Sequence, residues 1–308
     1  MTQFLAVFGN PILHSKSPQL HNSVFREFGL DAFYTRIRPQ SASDIIDIIR
    51  SMPLAGANIT APFKEDMVSL VDVVSLDAEE IGAINTIVNS YGRLIGYNTD
   101  HYGVTQSLRE AGIELLGKKC LVLGGGGAAR SVVFGLKSKG ADVTICNRTH
   151  SKAKTIADDF GCKVASWENF DISVSYDVVV STLVPNALPP FLEKLDFETL
   201  LDASYKSSKV SELAKSRGKK IITGKRWLLH QAIEAFRLIM SENPPIQIME
   251  NALNINLKKP DLQILEYPTS ASQTEKLKNA DLVISTKNLS KKSIKVIIDE
   301  EISKAFGN

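Results

Sequence analysis

The sequence predicts an α/β fold in two domains. Three observations carry this: short apolar strands alternate with amphipathic helical stretches, a run of glycines sits between one such strand and a helix, and the length suits two cores. The chain has 308 residues, roughly two domains at about 150 residues each. Hydrophobic residues make up 44% and charged residues 23%, as in a protein that folds in water. Lys plus Arg number 36 against 34 Asp plus Glu, for a formal net charge of +2. That balance argues against nucleic-acid binding by bulk charge. No apolar run approaches the roughly 18 residues of a membrane span, so no membrane partner is expected. Residues 1–8 have no basic stretch ahead of their apolar run and then meet Gly9-Asn10-Pro11, so they are not expected to be a signal peptide. The three cysteines, Cys120, Cys146 and Cys162, lack paired spacing. They read as reduced thiols of a cytoplasmic protein, with neither a disulfide framework nor a metal site.

The elements follow in order. Residues 4–8 form an apolar strand, a loop rich in Ser and Pro comes next, and 18–28 is helical. Residues 33–37 are strand-like, and Ser43-Asp44 caps a helix whose core face is Ile45, Ile46, Ile48 and Ile49. Residues 57–60 make a brief strand ending at Pro62, and 84–88 another before a turn at 90–93. A fresh unit begins at Lys118: strand 120–123, glycines 124–127, helix 128–139, a break at Gly140, and strand 142–146. This is a complete strand–helix–strand unit in about 30 residues. Residues 177–180 and 200–203 are continuous apolar runs, the mark of strands buried on both faces. Residues 227–240 are helical, 246–257 form a further helix, and Lys258-Lys259-Pro260 marks a boundary.

Gly124, Gly125, Gly126, Gly127, Ala128 and Ala129 fit the GxGxxG/A pattern between strand and helix. Glycine there permits a tight turn and lets backbone N–H groups approach a pyrophosphate at the positive end of the helix. An NAD site ends the next strand with an acidic residue that accepts from the ribose 2′-OH. Here that strand ends in Asn147, Arg148 and Thr149, with Lys152 close behind. A cation and hydroxyl donors suit a 2′-phosphate, which points to NADP. The alternative, a solvated helix start, places positive charge at the unfavourable end of a helix.

The first hundred residues hold five polar clusters at turns and strand ends. They are Ser15 and Ser17 around Lys16; Asn58 and Thr60 on one strand face; Lys64 after Pro62; Asn85 within Gly82-Ala83-Ile84-Asn85-Thr86; and Asn98-Thr99-Asp100 before a helix. Each alone is explained by turn chemistry. Together, beside a nucleotide domain, they compose a site for a small polyhydroxylated acid.

With these motifs the chain resembles the shikimate dehydrogenases, the NADP-dependent shikimate/quinate dehydrogenase family. The resemblance rests on Ser15-Lys16-Ser17-Pro18 with His21-Asn22, on Asn58 to Lys64, on Gly82 to Thr86, and on Gly96 to Asp100 with Gly103. The glycine loop through Arg130, Asn147-Arg148-Thr149, and Gln231 and Ala232 with Phe236 complete it, over residues 4–257. It implies a substrate-binding catalytic domain of residues 1–101, completed by helices within 227–257, a Rossmann NADP-binding domain of residues 102–226, and a C-terminal α/β extension over 258–308. It implies NADPH-dependent, reversible reduction of 3-dehydroshikimate to shikimate, with Lys64 and Asp100 catalytic. Ser15, Ser17 and Tyr205 would take the carboxylate, and Asn58, Thr60, Asn85 and Gln231 the hydroxyls or the catalytic pair. A quinate/shikimate or aminoshikimate dehydrogenase stays open, as does a non-catalytic NADP(H)- or metabolite-binding regulator. Monomer and homodimer both remain possible partners in assembly.

The chain departs from the family at Ser181-Thr182-Leu183-Val184-Pro185, at Lys206-Ser207-Ser208 and at Trp227, where a methionine is usual near the nicotinamide. Residues 260–308 lie outside the resemblance. There Ala280 to Thr286 echoes 176–182, and Val296 to Asp299 echoes 199–202. The tail therefore reads as the later half of a second nucleotide-type sheet, expected to pack on the nucleotide domain or a second subunit and to be dispensable for catalysis.

Overall fold

In the computed structural model, residues 2–52, 54–267, 274–286 and 289–306 are described. The chain divides into two compact units, Met1–Asn98 with Ala235–Asn308, and Thr99–Glu234.

The first unit opens with β1 (Gln3–Phe8), α1 (Ser17–Glu27), β2 (Ala32–Arg38), α2 (Ala42–Ser51) and β3 (Leu54–Ile59). It continues through β4 (Val73–Val74), α3 (Leu76–Ile81), β5 (Thr86–Ser90) and β6 (Arg93–Tyr97). Strand β1 lies between β2 and β3, parallel to both, while β5 pairs antiparallel with β3 and with β6. Helix α1 starts with Pro18 in its first turn, where a missing N–H costs nothing. It buries Leu20, His21, Val24 and Phe25, one face at helical spacing. The cap of α2 is Ser41 rather than Ser43-Asp44: its hydroxyl accepts from Asp44 N at 3.2 Å. Ile45, Ile48 and Ile49 then face a core shared with Phe4, Phe8, Ile59 and Ile87.

The second unit runs α4 (Asp100–Glu110), β7 (Lys119–Leu123), α5 (Gly127–Ser138), β8 (Asp142–Cys146), α6 (His150–Phe160) and β9 (Lys163–Ala165). It closes with β10 (Tyr176–Ser181), β11 (Phe197–Asp202), α7 (Lys209–Ser216), β12 (Lys220–Thr223) and the start of α8 (Gly224–Met240). Its six strands are all parallel, in the order β12-β11-β10-β7-β8-β9, a Rossmann sheet. The continuous apolar runs have a direct cause. Cys120 and Val122 enter one core while Leu121 and Leu123 enter the other, so both faces of β7 are covered. The strand order reverses between β7 and β10, and the glycine loop follows β7 at that point.

The tail differs from its expectation. After α9 (Ile246–Ala252), which is shorter than the expected 246–257, come β13 (Ile264–Tyr267), α10 (Thr274–Lys278), β14 (Leu282–Ser285) and α11 (Lys291–Phe306). Strand β14 pairs parallel with β2 through Val283↔Ile37 and Ile284↔Arg38, and β13 pairs outside it. The tail thus extends the sheet of the first unit to eight strands instead of packing on the nucleotide sheet. Val283 and Ala280 join the core of Ile37 and Ile45, which is the apolar surface that β2 offers at its free edge. The echo at 296–299 is helical, not extended. Ser290 caps the turn ahead of it, accepting from Ser293 N at 3.1 Å, and Ile294 and Glu301 share the buried side at period seven.

Candidate active site

The glycine loop is built by exclusion of side chains. Gly124 has φ +132°, and a Cβ on it would lie 2.0 Å from Thr182 Oγ1. A Cβ on Gly125 would meet the Asn147 amide nitrogen at 2.8 Å and Lys152 Cβ at 3.1 Å. Gly126 caps α5 in an extended conformation and faces open space, which leaves the helix amino terminus accessible. Thr182 belongs to the departing stretch 181–185. Its hydroxyl donates to Leu123 O at 2.9 Å and closes the back of the turn. Beyond β8, Asn147 donates to Thr149 O, and Arg148, Thr149 and Lys152 are exposed. An open helix terminus with a cation and hydroxyl beside it fits a dinucleotide bearing a 2′-phosphate. Arg130 is instead structural, pairing with Asp159 at 2.6 Å over the Phe160 ring.

In the first unit the expected residues gather at the ends of β1, β3 and β5. Ser15 donates to Ser17 Oγ at 3.3 Å, and both are nearly buried. Tyr34 donates to Asn58 Oδ1 at 2.7 Å, and Asn58 donates to Thr86 Oγ1 at 3.0 Å and Asn85 O at 3.2 Å. Thr86 in turn donates to Asn85 Oδ1 at 3.0 Å. Burial pushes the Tyr34 phenol well above its usual range, so it stays a neutral donor. Thr60 follows β3, and its methyl sits where a Cβ on Gly9 would fall, at 2.5 Å. Lys64 is half-buried in the turn after Pro62, its carbonyl accepting from Ile84 N at 2.8 Å. His21 is wholly buried, stacked on Tyr34 with ring centres 4.4 Å apart and on Phe236 at 5.8 Å. Burial lowers its pKa to about 3, so it is a neutral core ring and no proton carrier near pH 7.

In the second unit Asp100 opens α4 and is nearly buried. Beside it Thr99 donates to Gln231 Oε1 at 3.4 Å, which brings two distant motifs together. Trp227 lies in the core of this unit, against Gly103, where a Cβ would meet its Cδ1 at 2.7 Å. Tyr205 is half-buried after β11, in a loop tied by Asp202. The buried Asp202 carboxylate accepts from Ser208 Oγ and Ser211 Oγ, each at 2.5 Å, and from Ser204 N at 3.1 Å. Ser208 therefore anchors the loop where the family sequence differs. The thiols of Cys120 and Cys146 are pushed up to about 12 by burial and are not nucleophiles. Among the described residues no cluster of His, Cys, Asp and Glu would hold a metal ion, and no helix is long and apolar enough to cross a membrane.

Two family models match the chain: the shikimate dehydrogenase substrate binding domain over residues 7–87, and shikimate / quinate 5-dehydrogenase over 107–218. The shikimate dehydrogenase (NADP+) of Carboxydothermus hydrogenoformans is 35% identical over 274 residues, covering 83% of this chain and 98% of the relative. This chain belongs to the shikimate dehydrogenase family. The Pyrococcus abyssi shikimate dehydrogenase (NADP+) is 36% identical over 79% of the chain and 94% of its own length. Among solved structures, shikimate dehydrogenase from Aquifex aeolicus superposes with a TM-score of 0.75 at 32% identity, over 82% of this chain and 98% of that one. The Thermus thermophilus shikimate 5-dehydrogenase in complex with NADP(H) and shikimate gives 0.73 at 33% identity, over 82% and 98%. This member of the family is thus longer than these relatives.

Sequence reasoning missed Tyr34, Arg36 and Asp202. Arg36 and Arg38 lie inside β2 with only 2% and 9% exposure. A charged side chain within an apolar strand signals a buried partner, and that signal was in the sequence. His230 Nε2 lies 3.0 Å from Glu110 Oε2, a carboxylate also bound by Arg226.

Proposed function

We propose that this shikimate dehydrogenase family member reduces 3-dehydroshikimate to shikimate with NADPH, reversibly. One observation carries the proposal: the chain holds a web of buried neutral donors and acceptors around Ser17, Tyr34, Asn58, Asn85 and Thr86, together with a glycine turn followed by an exposed Arg148. Residues 124–129 would hold the pyrophosphate, and Asn147, Arg148, Thr149 and Lys152 the 2′-phosphate and adenosine end. When bound, NADPH supplies the hydride. The remaining work belongs to the chain. Ser15 and Ser17, with Tyr205, bind the ring carboxylate, and Asn58, Thr60, Asn85 and Gln231 orient the hydroxyls or the catalytic pair. As charge grows on the ketone oxygen, Lys64 Nζ gives that oxygen a proton and regains one from solvent. Asp100 accepts from the neighbouring substrate hydroxyl.

We assign residues 1–101, completed by helices within 227–257, to substrate and catalysis, 102–226 to NADP(H), and 258–308 to an extension. The protein is read as a cytoplasmic monomer or homodimer, which sedimentation distinguishes. The deciding experiment follows nicotinamide absorbance with shikimate or quinate and either NADP or NAD. Turnover of shikimate with NADP is expected, and its absence refutes the proposal. Replacing Lys64→Ala should lower kcat by about 10²–10⁴-fold while shikimate still binds; equal loss in kcat and binding would reduce Lys64 to a binding group.

A further inference from the structure

We propose that Glu301 is a positioning residue: from the C-terminal extension it holds the loop of Ser15 and Ser17 in the shape that takes the substrate carboxylate. The inference rests on the assignment of those serines in the proposed function.

The loop between β1 and α1 has no ladder of its own, yet Ile12 and Leu13 are buried at 0% and 1% exposure. Their N–H groups need acceptors. Glu301, on α11, supplies them: Ile12 N lies 2.9 Å from Oε2 and 3.1 Å from Oε1, and Leu13 N lies 2.8 Å from Oε2. Ser15 N donates to Ile12 O at 2.9 Å, so what fixes Ile12 fixes Ser15. A second grip runs through Arg36, whose Nε donates to Ser15 O at 2.9 Å and Nη1 to Asp281 O, in the tail, at 3.1 Å.

A merely structural helix face would not place a carboxylate here. Glu301 is 1% exposed, and a buried charge is costly unless its lone pairs are filled. Arg38 Nη1 stands 3.5 Å from Oε1, and Arg38 also donates to Ile297 O at 3.2 Å and Glu300 Oε2 at 3.2 Å, which ties α11 to β2. A leucine would pack the same face without this apparatus. The carboxylate instead serves two adjacent N–H groups that stand two to five residues ahead of the serines. The extension is therefore part of the substrate site of this chain, not a dispensable addition.

The test is steady-state kinetics on the full chain carrying Glu301→Ala or Glu301→Gln, with circular dichroism as the check on folding. Glu301→Ala should raise the KM for shikimate about tenfold, with kcat and the KM for NADP within about twofold, and Glu301→Gln should fall between it and wild type. The effect should shrink to nearly nothing when Ser15 and Ser17 are already alanine, because the variants then act on one interaction. An unchanged shikimate KM in a folded variant overturns the proposal, as does an equal shift in both KM values and kcat. Where Glu301→Ala does not fold, the isosteric Glu301→Gln carries the same comparison. Should wild type fail to turn over shikimate, the functional reading falls by itself. Amide exchange then decides whether Glu301 holds the loop: selective loss of protection at Ile12 and Leu13 in Glu301→Gln supports it, and unchanged protection refutes it.

Discussion

The glycine loop after β7 and the serine loop after β1 hold the same place in their sheets. Each leaves the first strand of its unit and enters a helix that packs on the sheet. They are built by opposite means. The glycine loop is shaped by what its residues lack, and its walls are the neighbouring strand ends, Thr182 after β10 and Asn147 after β8. The serine loop carries buried N–H groups, at Ile12 and Leu13, whose acceptor lies outside the loop. Its N–H groups reach Glu301, 288 and 289 residues away, its Ser15 carbonyl reaches Arg36, and Lys16 Nζ reaches Leu253 O at 2.8 Å and Ile255 O at 3.1 Å. A loop made of small residues carries its conformation with it, whereas a loop that presents side chains borrows its rigidity from elsewhere.

Four experiments test that contrast. Gly124→Ala should act with the largest effect: a Cβ at 2.0 Å from Thr182 Oγ1 on a backbone at φ +132° should cost roughly 2–4 kcal/mol and weaken NADP, while shikimate binding is retained. Calorimetry with each ligand separates the two, and parallel loss of both would break the claim of local construction. Next, Arg148→Ala should remove a charge-assisted contact worth about 1.5–3 kcal/mol, raising the KM for NADP roughly 10–100-fold and leaving that for NAD unchanged. A similar rise for NAD would mean that Arg148 does not read the 2′-phosphate.

The third experiment concerns the packing under the serine loop. His21 has a folded pKa of about 3 against 6.5 for the free ring. Between these values the unfolded chain binds the extra proton, so stability is full above pH 6.5 and declines as pH falls, by up to about 1.4 kcal/mol per pH unit. Denaturant melts at pH 6.5 and 5 should show this slope in wild type and lose it in His21→Phe, which keeps the stack on Tyr34 and Phe236. A slope that survives the substitution would assign the sensitivity to other groups. The smallest effect is expected from Asp202→Asn, which leaves one acceptor oxygen where the carboxylate offers two to Ser204 N, Ser208 Oγ and Ser211 Oγ, and should lower stability by about 0.5–1.5 kcal/mol. Calorimetric melting reads it, and an unchanged Tm would show that the Tyr205 loop does not depend on Asp202.

The Rossmann unit was readable because its signals are local: continuous apolar runs, a glycine turn, a strand ending in Asn147-Arg148. The polar clusters of the first unit were readable as motifs for the same reason, although Asn58 and Thr60, expected on one strand face, are parted by the end of β3 at Ile59. What joins them was not. Tyr34 meets Asn58, and Thr99 meets Gln231, only because strands and helices far apart in sequence become neighbours. The tail shows the limit most plainly. Its apolar run at 282–285 predicts a strand, and β14 is one, but no local pattern says which sheet edge it joins. At 294–298 β-branched residues imitate a strand, and the cap at Ser290 with burial of Ile294 and Glu301 decides for a helix.

By itself, then, the sequence determined the fold class, the glycine turn and the polar groups gathered near the ends of β1, β3 and β5, because covalent geometry, side-chain period and functional groups act over a few residues. Tertiary structure alone decided that β13 and β14 complete the first sheet and that one buried glutamate braces the serine loop. A backbone N–H donates to any well-placed carboxylate, so the choice among them is made by packing and leaves no mark in the local sequence.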